Sequence, residues 1–203
     1  DAGRARNVAK DTEVVVGDLT RPETLAAAVA DVDAVVFTHG SSGGRGAAEA
    51  VDYGGVRNVL IALGDQPARI ALMTSIGVTN RAGSYNQSTQ IHDWKRRSER
   101  LVRASGRPYT IVRSGWFDYN DPDQLRLVAL QGDTRHAGNS SDGVVSRRQI
   151  AEVLVSSLDT ASAENKTLEL VAEPGPATTD FDKFFGALEA DTGIDGVRDS
   201  SNM

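Results

Sequence analysis

The chain has no cysteine, and its three histidines are far apart in 203 residues. Without thiols there is no disulfide, no thiolate nucleophile and no zinc-thiolate site. His39, His92 and His136 lack metal-binding spacing, so no metal is expected. No apolar run reaches bilayer-spanning length, and the N-terminal residues lack the basic-then-apolar plan of a signal peptide. The expectation is a soluble, cytoplasmic protein with no membrane partner. Positive charge is in deficit as well. Lys and Arg number 22 against 28 Asp and Glu, a net charge of -6 that argues against a nucleic-acid partner. The basic run of Lys95, Arg96, Arg97, Arg100 and Arg103 reads as a solvated helix face. Ordinary hydrophobic content at this length suits one domain over 1–203.

Strand and helix signals alternate. A β-branched run at 13–17 reads as a buried strand, with Asp18 and Leu19 at its carboxyl end. Thr20, Pro22 and Glu23 make a capping-box helix start ahead of a stripe of Leu25, Ala28 and Val29. A short strand at 34–38 runs into a donor-rich loop at 39–46, HGSSGGRG, and a helix over 47–63 follows. The pattern repeats as a strand at 69–74, a long loop to Gln90, a helix at 91–104 stopped by Gly106, and a strand at 109–113. Beyond Gly115 the spacing predicts a helix at 123–131, strand 143–146, helix 147–158, strand 167–171, helix 181–190 and a polar tail. This alternation implies an α/β fold, a doubly wound parallel sheet between two helical layers. Such sheets bind ligands at the carboxyl ends of their strands.

Three segments stand at such ends. Residues 70–77, IALMTSIG, form a buried strand ending in a hydroxyl, and residues 91–102, IHDWKRRSERLV, a helix carrying Lys95. Residues 108–115, PYTIVRSG, form a strand ending in Arg113, Ser114 and Gly115. In this order they resemble the atypical short-chain dehydrogenase/reductase family, in particular its NAD(P)H-binding, NmrA-like branch, over most of the chain. The resemblance implies a Rossmann-like fold, with 116–203 contributing the substrate-side region. It also places the family's opening strand, Gly-rich turn and helix upstream of Asp1. In the family's 3-2-1-4-5 order, the strands not seen would lie between 13–17 and 34–38. If they are removed, the sheet must close up or borrow strands from another chain.

On the family pattern Asp18 contacts the adenine amino group, with Leu19 beside it, although Asp18 equally suits a cap on the Thr20 turn. Thr38, His39 and Gly40 match the stretch under the ribose and nicotinamide, while Gly40, Gly43 and Gly44 also suit an ordinary loop. Residues 53–58, YGGVRN, resemble the helix in which a small residue packs on the cofactor, and Asn58 reads as structural. Ser75 takes the family's active-site hydroxyl position, or is a plain strand-end serine. Lys95 takes the place of the lysine that binds ribose hydroxyls and lowers the pKa of a tyrosine four residues earlier. It can also pair with Glu99 at i,i+4.

Ile91 stands where that tyrosine would be, and an aliphatic side chain exchanges no proton, so the family's Tyr-Lys relay is absent. Tyr85, His92 and Tyr119 are acids off the family spacing. His92, one residue further on, is turned about 100° around the helix and is expected to face elsewhere. Arg113 and Gly115 correspond to the Arg-Pro-Gly turn beside the nicotinamide, with Ser114 replacing proline. Trp116, Phe117 and Tyr119 form a cluster that suits a planar substrate or the core. Arg147 and Arg148 read as structural.

The resemblance thus implies an oxidoreductase using NADP, with NAD open, and Ser75 and Lys95 orienting cofactor and substrate. A small conjugated acceptor such as a quinone or flavin takes its proton from water and needs no protein acid. Arg4 and Arg6 favour the 2′-phosphate of NADP. The alternatives are an NmrA-like redox sensor that binds dinucleotide without turnover, and a fragment that binds nothing. A homodimer is open.

Overall fold

The computed structural model of the chain describes Ala5, residues 8–42 and residues 46–199. Short aliphatic runs satisfy their backbone in ladders, giving strands β1 (Ala34–Phe37), β2 (Arg69–Ser75), β3 (Tyr109–Ser114), β4 (Trp116–Phe117), β5 (Arg126–Leu130), β6 (Val144–Val145) and β7 (Lys166–Glu173). β1, β2, β3 and β7 lie parallel in that order, and β5 closes the far edge antiparallel to β7. β4 and β6 pair separately. The helices are α1 (Gly54–Leu63), entered through a π-helical turn at Ala48–Tyr53, then α2 (Ser84–Thr89), α3 (Ile91–Ala104), α4 (Arg147–Asp159) and α5 (Phe181–Gly186).

Successive side chains of a strand face opposite ways, and both faces here are buried. Ile70, Leu72 and Ile111 pack with Val56, Val59 and Leu63 of α1 and Val102 of α3. Ala71 and Val112 pack on the other side with Ile150, Val153 and Leu154 of α4 and Phe185 of α5. The result is the expected α/β sandwich, a parallel-dominated sheet between helical layers. α4 starts at a capping box in which the Ser146 hydroxyl accepts from the Gln149 amide and Gln149 Oε1 accepts from the Ser146 amide.

Several expectations are corrected. Residues 13–17 are not a strand: Val14, Val15 and Val16 are 45%, 40% and 58% exposed, and no described strand pairs with them. Propensity makes no strand without a ladder partner, and β1 ends the sheet with β2 as its one described neighbour. After Thr20 the chain makes two 3₁₀ turns, Pro22–Thr24 and Ala26–Ala28, with Arg21 at the cap position, although Leu25 and Val29 still enter the core. Residues 126–130, expected in a helix, pair with β7, whose edge needs a partner more than this short run needs a helix. The loop before Gln90 contains α2, and the last helix stops at Gly186.

The basic face of α3 is only partly solvated, with Arg97 exposed. Arg96 and Arg103 are buried, and the expected polar tail runs back along the helix. Asp195 accepts from Arg96 at 3.3 Å and from Arg100 at 2.8 and 2.9 Å, Asp191 accepts from Arg103 at 3.2 Å, and Asp199 accepts from Arg113 at 2.6 and 2.7 Å. No helix among the described residues is long and apolar enough to cross a membrane.

Candidate functional site

β1, β2 and β3 end side by side, and a cavity of ≈ 690 Å³ opens beyond their carboxyl ends. Thr38, His39 and Gly40 follow β1 into its wall, Ser75 and Gly77 come from the end of β2, and Gly115, Trp116 and Phe117 follow β3. α2 adds Tyr85, and the first turns of α3 add Ile91, His92 and Lys95. Glycine is required at position 115, where a Cβ would lie 2.6 Å from the Gly143 carbonyl oxygen. That close approach carries Trp116 to the cavity, its amide donating to Gly143 at 2.9 Å.

Lys95 Nζ lies 2.9 Å from Asp52 Oδ1, and the Asp52 side chain is 1% exposed. Glu99, the alternative i,i+4 partner, is taken by Arg113 and Arg103. Asp52 stands in the π-helical turn before α1, a geometry frequent at functional sites. Its Oδ2 accepts from the Ser41 amide at 3.2 Å, which ties the loop after β1 to the same ion pair. An ammonium has three donors, so others remain for a ligand.

Ser75 Oγ is buried and has no hydrogen-bond partner among the described residues. Leaving such a group unmade costs roughly 1–3 kcal/mol, which marks Ser75 as a position that a ligand carbonyl or amide would complete. The turn after it is held from below. Asp133, buried, accepts from the Gly77 and Thr79 amides at 2.6 and 2.8 Å and from the Thr79 hydroxyl at 2.9 Å.

His92 faces the cavity, contrary to expectation. The cavity wraps the N-terminal end of α3, and His92 stands three residues before Lys95, a spacing that shares a helix face. The Tyr85 ring meets it edge-on at 5.3 Å between centroids. Burial, which disfavours the charged form, holds both His92 and His39 below the ordinary imidazole pKa and so favours the neutral ring in each. His39 Nε2 bonds to the Val51 carbonyl at 3.0 Å.

Asp18, Leu19 and Arg113 are not brought to the cavity. Asp18 accepts from the Thr20 amide and hydroxyl at 2.8 and 2.7 Å, the turn-capping reading. Leu19 packs against Gly55, where a Cβ would lie 3.3 Å from its side chain and 3.1 Å from His39 Nε2, and its carbonyl accepts from Asn58 at 2.8 Å. The helical glycine therefore serves a protein contact. Arg113 is fully buried among Glu99, Glu169 and Asp199, at 2.7, 3.3 and 2.6 Å, because its strand points that side chain into the interior. Arg4, Arg6, Gly43 and Gly44 lie outside the described residues. Asp52 and Asp133 went unread in the sequence, since no local spacing links a carboxylate to groups so far along the chain.

A family model described as NAD(P)H-binding matches residues 1–161. An uncharacterized chloroplastic protein of Arabidopsis thaliana is 31% identical over 200 residues, 86% of this chain, and the chain spans 61% of that relative's length. A sanguinarine reductase of Eschscholzia californica is 26% identical over 222 residues, covering 87% of this chain and 79% of its own. A solved structure, a putative NAD-dependent epimerase/dehydratase from Bacillus halodurans, shares the fold with a TM-score of 0.67 at 21% identity, over 85% of this chain and 77% of that one. With this Rossmann-like sheet, shared with that structure, and the cavity at its strand ends, the chain belongs to the NAD(P)H-binding family.

Proposed function

We propose that the chain is an NAD(P)H-dependent oxidoreductase that reduces a small, planar, conjugated acceptor such as a quinone or flavin. The observation that carries this is one cavity lined by Lys95, which the buried Asp52 holds from behind, by the Ser75 hydroxyl, unpartnered among the described residues, and by the aromatic walls of Tyr85, Trp116 and Phe117. These groups suit the nicotinamide-ribose end of a dinucleotide: Lys95 would hold ribose hydroxyls, and Ser75 would bond the carboxamide or the acceptor. When bound, the dihydronicotinamide supplies a hydride, two electrons and one hydrogen, and the acceptor's second hydrogen comes from water as a proton. Ile91 presents only hydrocarbon where a relay would need an acid, which disfavours simple ketones and alcohols as substrates. Trp116, 39% exposed with Tyr119 edge-on at 6.1 Å, offers a flat face to a planar ring. The relative named a sanguinarine reductase supports a reductase reading. Arg4 and Arg6 favour NADP over NAD.

Ile91 also favours a second reading, a non-catalytic redox sensor of NmrA-like type. Titrating NADPH and NADH while following energy transfer from Trp94 and Trp116, then adding a quinone or flavin and watching the dihydronicotinamide absorbance, separates the two. Saturable binding followed by oxidation is the expected result. Binding without oxidation turns the reading to the sensor, and no binding removes both.

A further inference from the structure

The geometry points to His92 Nε2–H as the hydrogen-bond donor to the acceptor's oxygen, and so to a conjugated carbonyl compound as the substrate class. This rests on the oxidoreductase reading above. The His92 ring is fixed by Tyr85 on one side and by Gly77 on another, where a Cβ would lie 3.5 Å from His92 Cε1. Nδ1 is buried and has no partner among the described residues, whereas Nε2 is not among the buried unpartnered atoms and bonds to no described residue. Since His92 lines the cavity, Nε2 is the nitrogen that opens into it.

A neutral imidazole carries one proton. A buried N–H without an acceptor is disfavoured more than a bare lone pair, which places that proton on Nε2. The charged and titratable neighbours of the ring are Asp133, Lys95, Asp93 and His136, with Tyr85 edge-on. Asp133 is occupied by backbone amides, and Asp93 accepts from Arg81 at 3.0 Å.

The carboxylates around the cavity are spoken for too. Asp142 accepts from the Ala137 and Gly138 amides, both at 2.7 Å, and Asp52 is paired with Lys95. His92, Ser75 and Lys95 therefore present donors with no free carboxylate among them. Such a lining selects an oxygen that gains negative charge as the acceptor is reduced.

Calorimetric titration of menadione, a naphthoquinone, and of methylnaphthalene, its carbonyl-free analogue, tests the role in wild type, His92→Phe and His92→Gln. Wild type should bind menadione, and H92F should bind it about tenfold more weakly with methylnaphthalene unchanged, the size of one hydrogen bond. H92Q, which keeps a donor, should recover most of the loss and remains informative if H92F does not fold. Equal menadione affinity in H92F and wild type, or equal loss in H92F and H92Q, overturns the donor role. So does wild-type protein that binds NADPH but not menadione, while dinucleotide binding stands. Wild type that binds neither overturns the oxidoreductase reading itself.

Discussion

At the scale of single residues, the Lys95–Asp52 pair joins stability to binding. Asp52 is nearly inaccessible, so removing the cation leaves a buried carboxylate with nothing to offset its charge. Lys95→Met should cost ~3–5 kcal/mol in urea denaturation. The double variant K95M/D52N should recover part of that loss, with a coupling of about 1–3 kcal/mol. Both proteins should bind NADPH more weakly than wild type, because both lack the ribose-facing ammonium. Additive losses in the double variant would show that the pair is not an interacting unit.

At the scale of elements, α3, β3 and β7 are joined by charges that titrate in opposite senses. Burial would raise the Glu99 carboxyl, but Arg113 and Arg103 outweigh it and hold it at about 2, below the ordinary 4.5. A depressed folded pKa contributes stability above that ordinary value, lost as pH falls towards 2. Glu169 runs the other way. Its burial dominates the pull of Arg113 and lifts it to about 8. Its contribution is present in full below 4.5 and is lost as pH rises through 8. Glu169→Gln should match wild type at about pH 5 and exceed it in urea midpoint at about pH 9. An identical alkaline decline in both proteins would assign that decline to another group.

At the scale of the whole molecule, residues 191–199 act as a strap along α3, the helix that carries His92 and Lys95. Asp191, Asp195 and Asp199 engage Arg103, Arg96 with Arg100, and Arg113, so the strap fastens α3 and the end of β3 together. Replacing the three aspartates by asparagine should cost ~3–5 kcal/mol, since the buried Arg103 and Arg113 each lose one counter-charge and are left with Glu99 and Glu169 alone. Amide exchange in α3 should quicken and NADPH affinity should fall. Unchanged exchange in α3 would mean that the helix stands without the strap.

Much of this was legible in the residues. β2, α3 and β3 stand within a residue or so of the expected bounds, because an apolar run between breakers and a helical stripe stopped by Gly106 are local signals. The same holds for Ser75, Lys95 and Gly115 at strand and helix ends facing one cavity. Partnership was not legible. The valines at 13–17 look like a strand and the run at 126–130 like a helix, yet a ladder depends on whether a neighbour is present, and only β5 has one. A Glu99 pair was the structural alternative for Lys95, and Arg113 was expected to meet a ligand, but a buried charge goes to whichever counter-charge the fold places beside it. The sequence by itself determined the alternation of elements and the chemistry offered at their ends. Only the tertiary structure decided which charges pair, that His92 looks into the cavity and that the tail closes over α3, because those contacts join residues that no local spacing connects.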